Sequence, residues 1–144
     1  MGKPVRKAVL PVAGLGTRVL PVGKTTPKNL LNVVDRPILS YIVAEARAAG
    51  IEHLVFIVSR GQGAIEDYFD SIPEIENALS AKGKVDVLED VRRDLPEPGQ
   101  MSFIRQMAPL GLGHAVWCAR HVVGDEPFAV MLPDMLMQAD PPAL

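Results

Sequence analysis

The alternation of short strand-like runs with helically spaced segments is what most narrows the folds open to this chain. Residues 7–12 (KAVLPV) form a brief apolar run that stops at Ala13 and Gly14. Pro11 belongs near the carboxyl end of that run, because a proline cannot donate to a central ladder. Residues 37–49 then carry Ile38, Tyr41, Ile42, Ala46 and Ala49 at helical spacing, with Asp35 placed to cap the helix and Gly50 to stop it. Residues 53–58 (HLVFIV) read as a second strand, 64–69 as helical, 101–106 as a strand, 113–120 as a helix, and 127–132 as a strand closing at Pro133 and Asp134. Between 73 and 100 the pattern weakens: a helical piece near 74–81 gives way to charged residues and the turn Pro96-Glu97-Pro98-Gly99. Such alternation predicts an α/β fold with a mostly parallel sheet.

At 144 residues the chain suits one domain with one core. Its 48% hydrophobic and 22% charged residues are those of an ordinary globular protein, and a net charge of −2 gives no basic excess for nucleic acid. The apolar runs are too short to span a bilayer, so no membrane association is expected. Residues 1–6 lead directly into the first strand, and the lone Cys118 cannot build an intramolecular disulfide, so a cytoplasmic protein is expected.

The uncommon residues fall just after strands: Gly14, Gly16, Thr17 and Arg18 after the first, Gln106 after another, and Asp134 after the last. Open α/β sheets bind ligands beyond the carboxyl ends of their strands, so these positions can share a cleft. The glycine turn lets the backbone approach a ligand and aim amides at phosphate oxygens, although many such turns serve packing alone. It completes neither GxGxxG nor a Walker loop, and Lys24 and Lys28 follow it instead. Read singly, those lysines are also solvated surface residues, Gln106 a strand end and Asp134 a turn former. His114, Trp117 and Cys118 fit packing positions on a helix, and His53 and His121 lack a second metal ligand at suitable spacing.

The run GLGTRVLPVGKTTPKNLLNVVDRP, residues 14–37, resembles the signature of nucleotidyltransferases that make nucleotide sugars. The likeness extends through AGI at 49–51, AIEDYFD at 64–70, GLGHAVWCAR at 111–120 and VGDEPFAVMLPD at 123–134, and within that superfamily it is nearest to the bacterial UTP:glucose-1-phosphate uridylyltransferases. The resemblance implies a Rossmann-like three-layer sandwich, the nucleotide-diphospho-sugar transferase fold, truncated here. It implies uridylyl transfer from UTP to glucose 1-phosphate, giving UDP-glucose and pyrophosphate, with Mg²⁺ as cofactor. The nucleotide would be held by Ala13, Gly14, Gly16, Thr17, Arg18, Lys28, Gln106, Gly111 and Gly113, with Arg18 and Lys28 catalytic and Asp134 the metal ligand.

Residues 1–144 are thus expected to form the N-terminal, nucleotide-binding part of such a domain. The half that grips the sugar phosphate and carries a second metal aspartate is expected to be absent. The sequence departs from the family pattern at Asn29 (usually glutamate), Asn32 (usually proline) and Gly23 (usually threonine), beside the phosphate lysines. Those changes leave a second reading open, an inactive remnant or regulatory module that binds nucleotide or a full-length partner. An uncovered sheet edge or apolar face would favour a homo-oligomer.

Overall fold

The structure, a computed structural model, describes residues 2–144. In chain order its elements are β1 (Lys7–Pro11), β2 (Asn32–Val33), β3 (Arg36–Pro37), α1 (Ile38–Ala48), β4 (His53–Val58), α2 (Gly63–Tyr68), α3 (Pro73–Ala81), α4 (Val85–Arg92), β5 (Met101–Arg105), α5 (Leu112–Cys118), α6 (Arg120–Val123) and β6 (Phe128–Val130). Three 3-10 turns, Thr17–Val19, Val22–Lys24 and Lys28–Leu30, occupy the long connection after β1.

Strand alternation builds the layers. Ala8, Leu10 and Val12 of the first strand and Leu54, Phe56 and Val58 of β4 point to one face, where they pack with Leu39, Ile42, Val43 and Ala46 of α1 and with Ile65 and Phe69. Val9, Val55 and Ile57 point to the other face and meet Ala115, Ala119 and Val123. Burying each large side chain in these clusters is worth about 1.5–3 kcal/mol. Helices thus cover both faces of a four-stranded sheet whose order is β5-β4-β1-β6 and whose pairings are all parallel. This is the three-layer α/β arrangement expected, with a separate antiparallel ribbon of β2 and β3.

Pro11 ends β1 as expected. Val12 N still donates to Ile57 O at 3.0 Å across the β4 side, while Pro11, one residue back, faces the β6 side, where the ladder closes with Met131 N on Val9 O at 3.0 Å. With no N–H to offer on that side, Pro11 is where the β1–β6 ladder ends.

Helix α1 ends as the sequence indicates. Gly50 has φ +86°, Gly50 N bonds to Arg47 O at 3.0 Å, and Ile51 N reaches back to Ala46 O at 3.0 Å, the paired bonds of a Schellman ending. Its start corrects the expectation. Pro37 is the N-cap and Asp35 supplies no cap bond. Asp35 instead accepts from the Tyr41 hydroxyl at 2.5 Å, which lowers its carboxyl below the usual range.

The sequence also underestimates the irregular stretch, since residues 85–92 form α4. Val85, Leu88 and Val91 do recur at helical spacing, but the stripe is short, lies among charged residues and stays largely exposed, with Val85, Val87 and Val91 all open to solvent. The helix is held by Arg92 on the buried Glu76 of α3, at 2.7 Å. The expected helix at 113–120 is two, α5 and α6, meeting at Ala119, and the last strand is shorter than 127–132.

Candidate functional site

The connections after β1, β4, β5 and β6 all leave the sheet at its carboxyl edge. Successive strands first step outward, from β1 to β4 to β5, and the chain then crosses to the opposite side of β1 for β6. That reversal is a topological switch point, where parallel sheets open a crevice.

The Val12 carbonyl, where the chain leaves the sheet, organises the turn that follows. It accepts from Gly14 N at 2.8 Å, Gln62 Nε2 at 2.7 Å and Asn29 Nδ2 at 3.4 Å. Gln62 is buried, and its Oε1 accepts from Ser59 N at 2.8 Å, so one side chain ties the loop after β4 to the loop after β1. Gly16 has φ +63°, a conformation that side chains other than glycine's adopt at a cost. A Cβ on Gly23 would lie 3.2 Å from both Gly16 O and Val19 Cγ2, so the bare glycine here fits against the turn.

Two adjoining clefts result. One, of about 310 Å³, is lined by Ala13, Gly14, Lys28, Gln106 and Gly111, with Pro109 and Leu112 on its wall. The second, about 160 Å³, lies beside Gly14, Gly16, Lys24, Lys28, Ser59 and Arg60. Gly14 and Lys28 belong to both. Lys28 follows Pro27 at the start of a 3-10 turn, and its Nζ lies 3.7 Å from Asp134 Oδ2, beyond β6. Backbone beside a glycine turn, together with three cations, suits a polyanion, and a carboxamide near an apolar wall suits the edge of a planar ring.

Of the expected site residues, Ala13, Gly14, Gly16, Lys28, Gln106 and Gly111 line these clefts, and Asp134 joins them through Lys28. Thr17 and Arg18 lie on an exposed 3-10 turn and line neither cleft, and Gly113 sits in the first turn of α5 outside both. Asn29 is buried and points at Val12 O, so its difference from the usual glutamate lies beneath the turn and not against Lys28. Asn32 is exposed on β2.

Three contributors escaped the sequence reading. Gln62 and Arg60 follow β4 at the same carboxyl edge as the residues singled out, a positional signal that was there to use. His114, read as packing, has its Nδ1 3.0 Å from Gln106 Nε2.

Among the described residues no group of three His, Cys, Asp or Glu could hold a metal ion by itself. Asp134 is a largely exposed carboxylate already facing one cation, which fits Mg²⁺, an ion that takes one or two protein carboxylates and otherwise keeps water and phosphate oxygens. Among the described residues no helix is long and apolar enough to cross a membrane.

The chain is 51% identical over 142 residues to a UTP–glucose-1-phosphate uridylyltransferase of Bacillus subtilis, covering 99% of this chain and 48% of that protein. It is 47% identical over 139 residues to an enzyme of the same name from Komagataeibacter xylinus, covering 96% and 49%. Among solved structures, a UTP-bound UGPase from Acinetobacter baumannii superposes with a TM-score of 0.89 at 48% identity, covering 94% of this chain and 48% of that one. The chain therefore spans about half the length of the relatives it matches. Residues 7–144 match the nucleotidyl transferase family, and on that match, the shared fold and the switch-point clefts, the chain belongs to the nucleotidyl transferase family.

Proposed function

We propose that this chain supplies the UTP- and Mg²⁺-binding half of an enzyme that transfers a uridylyl group from UTP to glucose 1-phosphate, giving UDP-glucose and pyrophosphate. The observation that carries the reading is the convergence of Gln106, the bare backbone of Ala13 and Gly14, and Lys28 on one cleft, with Asp134 3.7 Å from the lysine. The names of the relatives and the UTP bound in one solved neighbour support it.

In this reading uracil lies against Ala13, Gly14, Gln106 and Gly111, and the triphosphate follows the turn past Gly16 and Thr17 towards Lys28. Arg18 reaches in from its exposed turn, and Gly113 keeps the approach to α5 open. A phosphate oxygen of glucose 1-phosphate attacks the α-phosphorus of UTP, the bond to the β-phosphate breaks, and pyrophosphate leaves. Both reactants are anions, so the chain's task is to offset repulsion and hold the attacking and leaving oxygens in line. Lys28 and Arg18 supply positive charge along the triphosphate. Asp134 would hold Mg²⁺, which when bound neutralises phosphate charge and orients the reacting group. No covalent enzyme intermediate is needed. Contacts to glucose 1-phosphate are assigned to the further length that the relatives possess. We also propose self-association through the apolar strip on β6, and action in the cytoplasm.

Calorimetric titration of UTP into the chain, with and without Mg²⁺, tests the reading. Saturable, metal-dependent binding is expected, weakened about tenfold or more by Lys28→Ala and by Asp134→Ala, as for loss of a charged contact. A folded wild-type chain that binds no UTP overturns it in favour of a remnant.

A further inference from the structure

We propose that His114 is a positioning residue that sets the base preference of the cleft by occupying the second amide hydrogen of Gln106, so that the carboxamide offers the ligand only an acceptor. The inference rests on the reading above, that this cleft takes a pyrimidine base.

Gln106 Nε2 has two acceptors inside the protein, Gly111 O at 3.1 Å and His114 Nδ1 at 3.0 Å. A carbonyl oxygen can only accept, so the part of the carboxamide beside Gly111 is its NH₂. The same carbonyl takes the Ala115 amide at 3.1 Å, which engages both of its lone pairs. With the amide so oriented, its second hydrogen meets His114 Nδ1. That nitrogen must therefore be bare, and the ring proton resides on Nε2. Cys118 Sγ, a weak donor 3.9 Å from Nδ1, favours the same tautomer. The imidazole is held by Trp117, stacked at 5.7 Å, and Trp117 in turn lies under the Arg120 guanidinium, 3.5 Å from the ring centroid.

Both amide hydrogens of Gln106 are thus consumed by the protein, and the residue keeps only an acceptor, Oε1, to offer the cleft it lines. An acceptor pairs with a ring N–H and is repelled by a bare ring nitrogen. Uracil carries N3–H on its pairing edge, whereas cytosine carries a bare N3. Removing the His114 acceptor leaves Gly111 O still holding one amide hydrogen but frees the other, so the NH₂ can offer a donor to the ligand beside Oε1, and discrimination between the two bases should fall.

The test measures Kd for UTP and for CTP by calorimetry on the wild-type chain, His114→Leu and His114→Asn, with thermal melts to establish that each is folded. The asparagine Oδ1 replaces Nδ1 as an acceptor. The expected result is a UTP preference in the wild type, a drop of about tenfold in the UTP:CTP ratio for His114→Leu, the scale of one hydrogen bond, and recovery of most of it in His114→Asn. An unchanged ratio in folded His114→Leu, or no recovery in folded His114→Asn, overturns the inference alone. ¹⁵N NMR of the imidazole in the nucleotide-free chain provides a readout independent of binding: a neutral ring protonated on Nε2 is expected, and a proton on Nδ1 overturns the inference. A wild-type chain that binds neither nucleotide overturns the proposed function together with this role, and is told apart because the wild type itself is silent.

Discussion

Asn29 is buried to 1% exposure, and the oxygen its Nδ2 faces, that of Val12, is shared with the equally uncharged Gln62. A carboxylate in that place would be desolvated, would face a carbonyl oxygen to which it cannot donate, and would find no cation in Gln62. Asn29→Glu is therefore expected to lower stability by about 3 kcal/mol or more at neutral pH, with the loss shrinking as acid protonates the new side chain. Urea unfolding at neutral and acidic pH measures this; an unchanged midpoint at neutral pH would show that the carboxamide is dispensable. Residue 29 belongs to the underside of the glycine turn, so the exchange acts on stability and not on ligand contact.

Among the elements, the α3–α4 excursion depends on a few polar anchors. The Arg47 guanidinium donates to the carbonyls of Arg93, Asp94 and Leu95 at 3.1–3.3 Å, and the Tyr68 hydroxyl donates to Asp94 Oδ2 at 2.7 Å. Burial first, and then the hydrogen bond to Asp94, push the Tyr68 phenol from 10.0 up to about 12. The folded chain holds that proton more tightly than the unfolded one, so the contribution to stability is whole below pH 10 and is lost as the pH climbs towards about 12. Chemical denaturation across that window should show a fall in wild-type stability that is shallower in Tyr68→Phe; parallel curves would refute the anchor. At the start of β4, burial first and the Lys7 charge second lower the pKa of His53, whose Nε2 lies 2.8 Å from Ser102 Oγ.

Across the whole molecule, cover is uneven. Phe128 and Val130 pair with Lys7 and Val9, so their side chains share the face covered by α5 and α6, yet they remain 39% and 43% exposed. They form an apolar strip on an edge strand, the kind of surface that recruits another chain. Sedimentation equilibrium should detect concentration-dependent association of the chain, and Phe128→Lys with Val130→Lys should return it to monomer. A wild type that stays monomeric at high concentration would dispose of the self-association proposal.

Most of the parallel sheet was legible in the sequence because β1, β4 and β5 are short apolar runs bounded by turn residues, and α1 carries both a helical stripe and a glycine stop. Helix α4 was not, since its apolar stripe is short and set among charged residues, and neither was the cap of α1, because Asp35 could bond a nearby hydroxyl as readily as a backbone amide. In the site, residue types and their places after strands marked Gly14, Lys28, Gln106 and Asp134 as candidates, and motif order tied them to a family. Only the folded chain decides that Lys28 meets Asp134 across 106 positions of sequence, that Gln62 and Asn29 converge on one carbonyl, and that His114 Nδ1 comes to lie 3.0 Å from Gln106 Nε2. Periodicity and turn chemistry are local and can be read along the chain, whereas a hydrogen-bond partner or a charge neighbour is chosen by where the packed strands set down their loops.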